Sequence, residues 1–243
     1  MTEMKDVEDA SEIALIVGGG PGVSASCARR FTDAGMRVVV AARNPNKPVL
    51  RELAEATGVT LCACDASDAE DVDRLFENIK AQHGTPKLVI HNIDGRSREI
   101  FGKSLIEAEP EVVRRTIENG AFSAFLVARA AARQMLEGAA PPNGVRGTVI
   151  FTNASAAMKG FARSGAFAMA CHAKAGLAQS IARELMPQGV HVAHVPIDAA
   201  VGWTQEDGSR RHRRAGTDLH DNLADPDHIA ETYLQLHHQH RST

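Results

Sequence analysis

The sequence is poor in aromatic residues, which make up 4% of the chain and include one tryptophan and one tyrosine, Tyr233. It has only four cysteines, and no two of them form a C-x-x-C pair: Cys27, Cys62, Cys64 and Cys171. This usage favours reduced, partly buried thiols over a disulfide framework. We expect no metal site, because the histidines of the final LHHQH segment are typical of a solvated tail.

A strong excess of one charge and long hydrophobic runs are also missing. The formal net charge is −3, so the bulk electrostatics do not indicate nucleic acid or an anionic membrane as a partner. No apolar run reaches membrane-spanning length, and the segment MTEMKDVEDASE lacks the basic and apolar regions of a secretory leader. We therefore expect a cytoplasmic protein whose partner is a small-molecule substrate.

Short apolar runs are abundant instead. The 243 residues are 44% hydrophobic, which is enough for the core of one large α/β domain. Six runs are near-continuously apolar, as buried parallel strands are: 13–19, 37–42, 59–64, 87–92, 147–153 and 190–197. Helical patterns separate them. The predicted fold is a single doubly wound, Rossmann-like α/β domain over residues 1–243, with a mostly parallel sheet of six or seven strands and helices on both faces.

One long polar stretch, 198–227, does not follow this alternation. Its charge and length favour a lid or substrate loop over a domain boundary. A helix is predicted to follow it over 226–237.

A glycine-rich segment, V-G-G-G-P-G-V-S at 17–24, joins the first strand to the first helix. Glycines at such a junction let backbone N–H groups approach a pyrophosphate. After the second strand, where a NAD-selective site carries a carboxylate for the ribose 2′-hydroxyl, the chain has Ala42 and Arg43. A guanidinium there suits a 2′-phosphate, so we expect NADP(H) in preference to NAD(H).

Four segments, spread in order over about residues 10–200, resemble the short-chain dehydrogenase/reductase family. The glycine segment is similar to its T-G-x-x-x-G-x-G turn, with Val17 in place of the threonine and Ser24 in place of the third glycine. CDAS resembles the segment that carries an Asp at the adenine ring, LVIHNID resembles NNAG, and RELMPQGVHVAHV resembles the helix and strand after the active site. With Arg43, the resemblance implies this cofactor-binding set: Gly18, Gly20, Gly22, Val23, Arg43, Asp65, Ala66, Asn92 and Lys174.

In that family a Tyr-x-x-x-Lys pair shares one helix face, and a serine ends the preceding strand. The resemblance implies that Lys174 holds the nicotinamide ribose and that Ala170 stands where the proton-donating tyrosine belongs. At the usual spacing the serine falls on Ala157, but Ser155 is two residues earlier, so Lys174 and Ser155 are the catalytic candidates. The asparagine position of the family falls on Gly120.

Four residues are weighed as replacements for the tyrosine. His172 has the imidazole chemistry of a proton donor but is rotated away from the face that carries Lys174, so a packed or exposed histidine is favoured. His91 is better placed at the end of the fourth strand, although a structural role is favoured there as well. His194 is a weaker candidate, and Asp198 either lines the nicotinamide side or caps the lid.

Three functions stay open at this point. The first is an atypical NADP(H)-dependent oxidoreductase that acts on a carbonyl, an alcohol or an activated C=C bond. The second is an NADP(H)-binding sensor or scaffold without redox turnover, and the third is a non-redox cyclase, dehydratase or epimerase. The absent tyrosine favours the second and third functions, whereas the retained cofactor residues favour the first and second, and we place the first slightly ahead. The long helical stretches 110–137 and 166–186 predict a homodimer.

Overall fold

The computed structural model describes residues 11–205, 209–212, 216–217 and 223–240. In this part of the chain the main sheet has six strands, as predicted. They are β1 (Ile13–Val17), β2 (Arg37–Ala42), β3 (Thr60–Ala63), β4 (Leu88–His91), β5 (Gly147–Ala154) and β6 (Val190–Ile197).

All pairs of neighbouring strands in this sheet are parallel, in the order β3-β2-β1-β4-β5-β6. The order reverses between β1 and β4, where Val17 lies opposite His91. In a doubly wound sheet the carboxyl ends of the two strands at this reversal flank the ligand-binding crevice. The topology therefore places the candidate site after Val17 and His91.

Helices cover both faces of the sheet, which confirms the predicted fold class. The helices are α1 (Val23–Asp33), α2 (Pro48–Thr57), α3 (Ala69–Gln82), α4 (Pro110–Ile117), α5 (Ser123–Met135), α6 (Gly165–Leu185) and α7 (Pro226–His238). Alternate residues of β1 belong to two different cores, because successive strand side chains point to opposite faces. Ile13 and Leu15 pack with α3, α5 and α6, whereas Ala14 and Ile16 pack with α1, α2 and α7.

The stretch predicted as one long helix over 110–137 contains a wider turn. A π-helical turn at Glu118–Phe122 joins α4 to α5 and holds Gly120. A Cβ built on Gly120 would lie 3.2 Å from the Cβ of Ala170 on α6. The turn thus allows α6 to pack closely against the α4–α5 junction, and the apolar pattern of the sequence gave no sign of it.

The region after β6 contains short strands. Ala200–Val201 (β7) pairs in parallel with Leu223–Ala224 (β11). Arg210–His212 (β9) pairs with Trp203–Thr204 (β8) and with Gly216–Thr217 (β10). The predicted lid over 198–227 stays a prediction, because 206–208, 213–215 and 218–222 lie outside the described residues.

The described residues bear on the expectations about membrane-spanning helices, metal-binding groups and cysteines. Among the described residues, no helix combines the length and apolarity needed to cross a membrane. In the same part of the chain, no group of His, Cys, Asp and Glu side chains is arranged to hold a metal ion. All four cysteines are free thiols, and burial raises the pKa of Cys64 to about 11.

Candidate cofactor and substrate site

The glycine-rich turn after β1 lies directly against the end of β4. Gly18 has φ +108°, and a Cβ there would lie 2.5 Å from the carbonyl oxygen of Asn92. The Ser24 hydroxyl donates to the Gly18 carbonyl oxygen at 2.7 Å, and the Asn92 amide donates to Ser24 Oγ at 2.6 Å. Ser24, a departure from the family turn, therefore fixes the glycine turn to Asn92.

Two adjoining cavities open at this edge of the sheet. We call the one of about 640 Å³ the substrate cavity and the one of about 460 Å³ the nucleotide cavity. Their shared wall is the segment after β4: Asn92, Ile93, Asp94, Arg96 and Ser97. Together the cavities form one groove across the strand-order reversal, where α/β folds bind dinucleotides.

The nucleotide cavity brings together the residues predicted for the adenosine half of a cofactor. Arg43, Lys47, Asp65 and Ala66 line it with Gly18. Burial by itself raises the pKa of the Asp65 carboxyl, but hydrogen bonds from Ser67 and the nearby Arg43 charge outweigh burial and lower it. Arg43 is exposed, so its guanidinium is accessible to an anionic ligand.

The turn between the cavities has the open backbone that a pyrophosphate requires. A Cβ built on Gly20 would meet no atom within 4 Å, and one on Gly22 would meet only Val201 Cγ1 at 3.9 Å. Helix α1 begins directly afterwards at Val23, which lines the substrate cavity. The N–H groups of this helix start and the space over the glycines fit the phosphates of a nicotinamide dinucleotide.

Lys174 lies on the inner wall of the substrate cavity and is only 3% exposed. Its Nζ donates to the carbonyl oxygens of Ile93 at 2.9 Å and Thr152 at 3.2 Å. Burial lowers the pKa of Lys174 to about 8, although Cys171 and Asp94 act in the opposite direction. Lys174 is thus a buried lysine, not a surface one, and at neutral pH its ammonium group is oriented by two backbone carbonyl oxygens.

Ala170 is 1% exposed and lines neither cavity. It packs against Gly120. Gly95 packs against Gly120 in turn, because a Cβ on Gly95, which has φ +78°, would lie 2.7 Å from the nitrogen of Gly120. Three small residues, Gly95, Gly120 and Ala170, therefore bring three segments into close contact.

Ser155 lies where β5 ends, in the short helical turn Ser155–Ala157, and lines the substrate cavity. Ala157 is buried and does not line it. The Ser155 hydroxyl lowers the pKa of the neighbouring Asp198 carboxyl, and Lys159 Nζ contributes through a salt bridge of 3.1 Å. Of the two serine positions considered, the structure thus brings only residue 155 to the cavity that contains Lys174.

The three histidines weighed as replacements for the tyrosine, and Tyr233 itself, line neither cavity, whereas His212 lines the substrate cavity. His91 is fully buried, its Nε2 lies 2.8 Å from Ser123 Oγ, and burial lowers its pKa well below the ordinary value. His172 is exposed, and His194 is half-buried with a pKa lowered by burial and then by Lys174. Tyr233 is fully buried beneath the sheet edge, with its hydroxyl 2.7 Å from Thr152 Oγ1.

The comparison with known families agrees with this geometry. Residues 19–243 match the family model described as enoyl-(acyl carrier protein) reductase. The chain belongs to the short-chain dehydrogenase/reductase family. The resemblance inferred from the glycine turn and the segments after β3 and β4 is confirmed.

Relatives within the short-chain dehydrogenase/reductase family carry different names. (+)-cis,trans-Nepetalactol synthase of Nepeta racemosa is 27% identical over 237 residues, which cover 93% of this chain and 83% of that protein. Short-chain dehydrogenase reductase 4 of Arabidopsis thaliana is 28% identical over 208 residues, which cover 84% of this chain and 66% of that protein.

Solved structures of the family share the fold. A short-chain dehydrogenase from Rhodopseudomonas palustris has a TM-score of 0.74 and 28% identity, with 96% of this chain and 94% of that chain covered. A metagenomic short-chain oxidoreductase in complex with NADP has a TM-score of 0.74 and 24% identity, with 96% and 93% covered.

One pair in the site was missed by the sequence reasoning. Asp94 is the last residue of the NNAG-like segment and Arg96 follows that segment, and both residues line the two cavities. Arg96 Nε donates to both carboxylate oxygens of Asp94 at 2.9 Å. The replacement of a family glycine by Asp94 was visible in the sequence, but the partners of Arg96 were not.

Proposed function

We propose that this family member is an atypical NADP(H)-dependent oxidoreductase that acts on a carbonyl, an alcohol or an activated C=C bond of a small molecule. The observation that carries the proposal is the burial of Lys174 at the cavity wall, with its Nζ held by the carbonyl oxygens of Ile93 and Thr152. A buried ammonium without a carboxylate partner costs free energy. A ligand that accepts the remaining N–H group would offset that cost.

The described residues would hold NADP(H) along the groove. Asp65 would lie beside the adenine, Arg43 would bind the 2′-phosphate, and the turn at Gly20 would receive the pyrophosphate. Lys174 would donate to the hydroxyls of the nicotinamide ribose. When bound, the nicotinamide ring supplies or accepts a hydride. The segment between β2 and α2 contributes Arg43 and Lys47 but no carboxylate to the wall of the nucleotide cavity, which favours NADP(H) over NAD(H).

In the proposed reaction the substrate oxygen lies near Ser155, whose hydroxyl turns from Asp198 to donate to it. Lys159 keeps Asp198 ionised, so the carboxylate stays an acceptor and does not compete as an acid. Water in the open substrate cavity carries the proton that a tyrosine would otherwise supply. Loss of a positioned general acid costs about 10²- to 10⁴-fold in rate, which slows hydride transfer without abolishing it.

A second candidate function is a non-redox reaction at the same cavity. Asp198 lines the cavity as an ionised carboxylate and could remove a proton from a bound substrate. One relative is named a nepetalactol synthase, in contrast to the dehydrogenase and reductase names of others. If the site binds NADP(H) but catalyses no hydride transfer, the protein is an NADP(H) sensor or scaffold.

We also propose a homodimer formed through the α4–α5 junction and α6. Phe122 and Phe125 are stacked at 6.0 Å between ring centroids and are 47% and 43% exposed, and Met169 on α6 is 55% exposed. Exposed aromatic and methionine side chains on neighbouring helices are typical of interfaces. Sedimentation equilibrium tests this: we expect a dimer that Phe122→Asp converts to a monomer.

The proposed function is tested by cofactor binding followed by turnover. NADPH and NADH are titrated against protein fluorescence, and a carbonyl panel is then assayed with wild type, Lys174→Ala and the exposed-lysine control Lys80→Ala. We expect tighter binding of NADPH than of NADH, measurable carbonyl reduction, and loss of both only in Lys174→Ala. A protein that binds neither cofactor would contradict the proposal.

A further inference from the structure

We propose that Arg96 is a carboxylate-binding residue in the substrate cavity, so that the substrates are oxo or hydroxy acids with an apolar body. This inference rests on the proposed function, because it names the substrate class of the same cavity. The geometry points to it through three features: how Arg96 is held, which of its nitrogens are used, and what surrounds it.

The guanidinium of Arg96 is held between two aromatic rings and a carboxylate. Its central carbon lies 3.9 Å from the ring centroid of Phe167 and 4.9 Å from that of Phe101. Both carboxylate oxygens of Asp94 accept from Nε at 2.9 Å. A side chain fixed in this way has already lost its rotamer entropy, so a ligand that binds it pays little further ordering cost.

The terminal nitrogens of Arg96 are available. Within the part of the chain that the structure describes, every hydrogen bond of the Arg96 side chain comes from Nε. The side chain is 30% exposed, and it lines both cavities. Two parallel N–H groups at the end of a planar guanidinium match the two oxygens of a carboxylate.

The other charges around the substrate cavity favour an anion. Of its two carboxylates, Asp94 is paired with Arg96 and Asp198 with Lys159. Arg98 and Lys174 also line the cavity, and no carboxylate among the described residues lies within salt-bridge distance of either. The wall therefore has more unpaired positive than negative charge, and this attracts anionic substrates.

Three aromatic side chains line the substrate cavity together with Arg96. They are Phe101, Phe161 and Phe167, and the first two are partly exposed. Such a wall removes the hydrocarbon part of a ligand from water. A carboxylate at Arg96 and an apolar chain against these rings describe one amphipathic ligand.

Calorimetry with matched acid and ester ligands tests the inference. NADP⁺-saturated protein, which has no hydride to transfer to an oxo group, is titrated with ω-oxo carboxylic acids of five to ten carbons and with their methyl esters, and turnover of each with NADPH is measured separately. We expect at least one acid to bind wild type about 10- to 100-fold more tightly than its ester, which is the range for hydrogen bonds to charged groups. Arg96→Met should remove this preference, and Arg96→Lys, which keeps the charge without the planar fork, should keep only part of it.

Arg98→Met is the matched control, because Arg98 lines the same cavity and no aromatic ring of the described residues stacks on its guanidinium. We expect it to keep the acid preference within about threefold. Equal loss in Arg96→Met and Arg98→Met would overturn the inference, because a general positive field would then explain the selectivity. Absence of an acid preference at every chain length would overturn it as well and would identify the Asp94–Arg96 pair as a structural contact only.

The test separates this inference from the proposed function. Acid binding that depends on Arg96 without any turnover would support the carboxylate site and contradict the oxidoreductase. Turnover of esters and acids with equal kcat/KM would support the oxidoreductase and contradict the carboxylate site.

Discussion

Ala170 packs against Gly120 so closely that a Cβ on Gly120 would lie 3.2 Å from the Cβ of Ala170. The family resemblance places a tyrosine and an asparagine at these two positions. We propose that the two positions differ together from the family pattern, with two polar side chains exchanged for a close contact between α6 and the π-helical turn. The backbone of the neighbouring segment lies against the same contact, since the Cβ built on Gly120 would lie 3.7 Å from the Asp94 carbonyl oxygen and 3.8 Å from Gly95 Cα, and Ala170 itself is 1% exposed.

Restoring the tyrosine should therefore fail. We expect Ala170→Tyr to lower the free energy of unfolding by about 1–3 kcal/mol, because the closed space must be forced apart. Ala56→Tyr, at an exposed alanine of α2, is the matched control and should change stability by less than about 0.5 kcal/mol. Urea denaturation measures both. An Ala170→Tyr protein as stable as wild type that reduces carbonyls faster would show that the site is open.

Arg43 should decide between the two nicotinamide cofactors. We expect Arg43→Asp to weaken NADPH binding by about 10- to 100-fold, because the 2′-phosphate loses a charge-assisted hydrogen bond. NADH binding should be unchanged or stronger. Arg51→Asp, at an exposed arginine on α2 outside both cavities, should alter neither. An equal loss for both cofactors in Arg43→Asp would contradict the 2′-phosphate role.

Two glycines of the same turn should respond differently to alanine. Gly18→Ala should cost at least about 2 kcal/mol of stability, because its φ is unfavourable for other residues and the new methyl would meet the Asn92 carbonyl. Gly20→Ala should stay within about 0.5 kcal/mol of wild type but weaken NADPH binding on the order of tenfold, since its methyl fills the pyrophosphate space. Thermal unfolding and cofactor titration measure the pair. Normal NADPH affinity in Gly20→Ala would contradict the placement of the pyrophosphate.

The buried Lys174 should make stability depend on pH in the alkaline range. Its pKa is about 8 in the folded protein and 10.5 in the unfolded chain, so between these values only the unfolded state keeps the proton. More protons bound in the unfolded state means that the free energy of unfolding rises with pH there. The difference between wild type and Lys174→Met should therefore grow in favour of wild type by about 3 kcal/mol from pH 7 to pH 10.5. If the difference in the free energy of unfolding between the two proteins did not change with pH, the Lys174 ammonium would be hydrated in the folded protein and its pKa would not be lowered.

The fold was predictable from the sequence because its signals are local. The predicted run 37–42 coincides with β2, since near-continuous apolar sequence is what a strand buried on both faces requires. The predicted run 190–197 coincides with β6, which lies at the edge of the sheet and is mostly half-buried. The position of Arg43 and Asp65 at the carboxyl edge followed in the same way, because parallel strands bring their ends together.

The arrangement inside the site was not predictable, since it depends on partners distant in sequence. Phe167 reaches Arg96 only because α6 crosses the end of β4. The contact between Gly120 and Ala170 requires a π-helical turn that leaves no trace in hydrophobic periodicity. The choice of Ser155 over Ala157 depended on the path of the loop after β5.

Hydride transfer itself is tested most directly with deuterium. Wild-type protein is incubated with a carbonyl substrate and NADPH deuterated at C4 of the nicotinamide, in each of its two stereochemical forms, and the product is analysed by mass spectrometry. We expect one deuterium in the alcohol from one form and none from the other. Conversion of the substrate with no deuterium in the product from either form would contradict the oxidoreductase and favour the non-redox reaction.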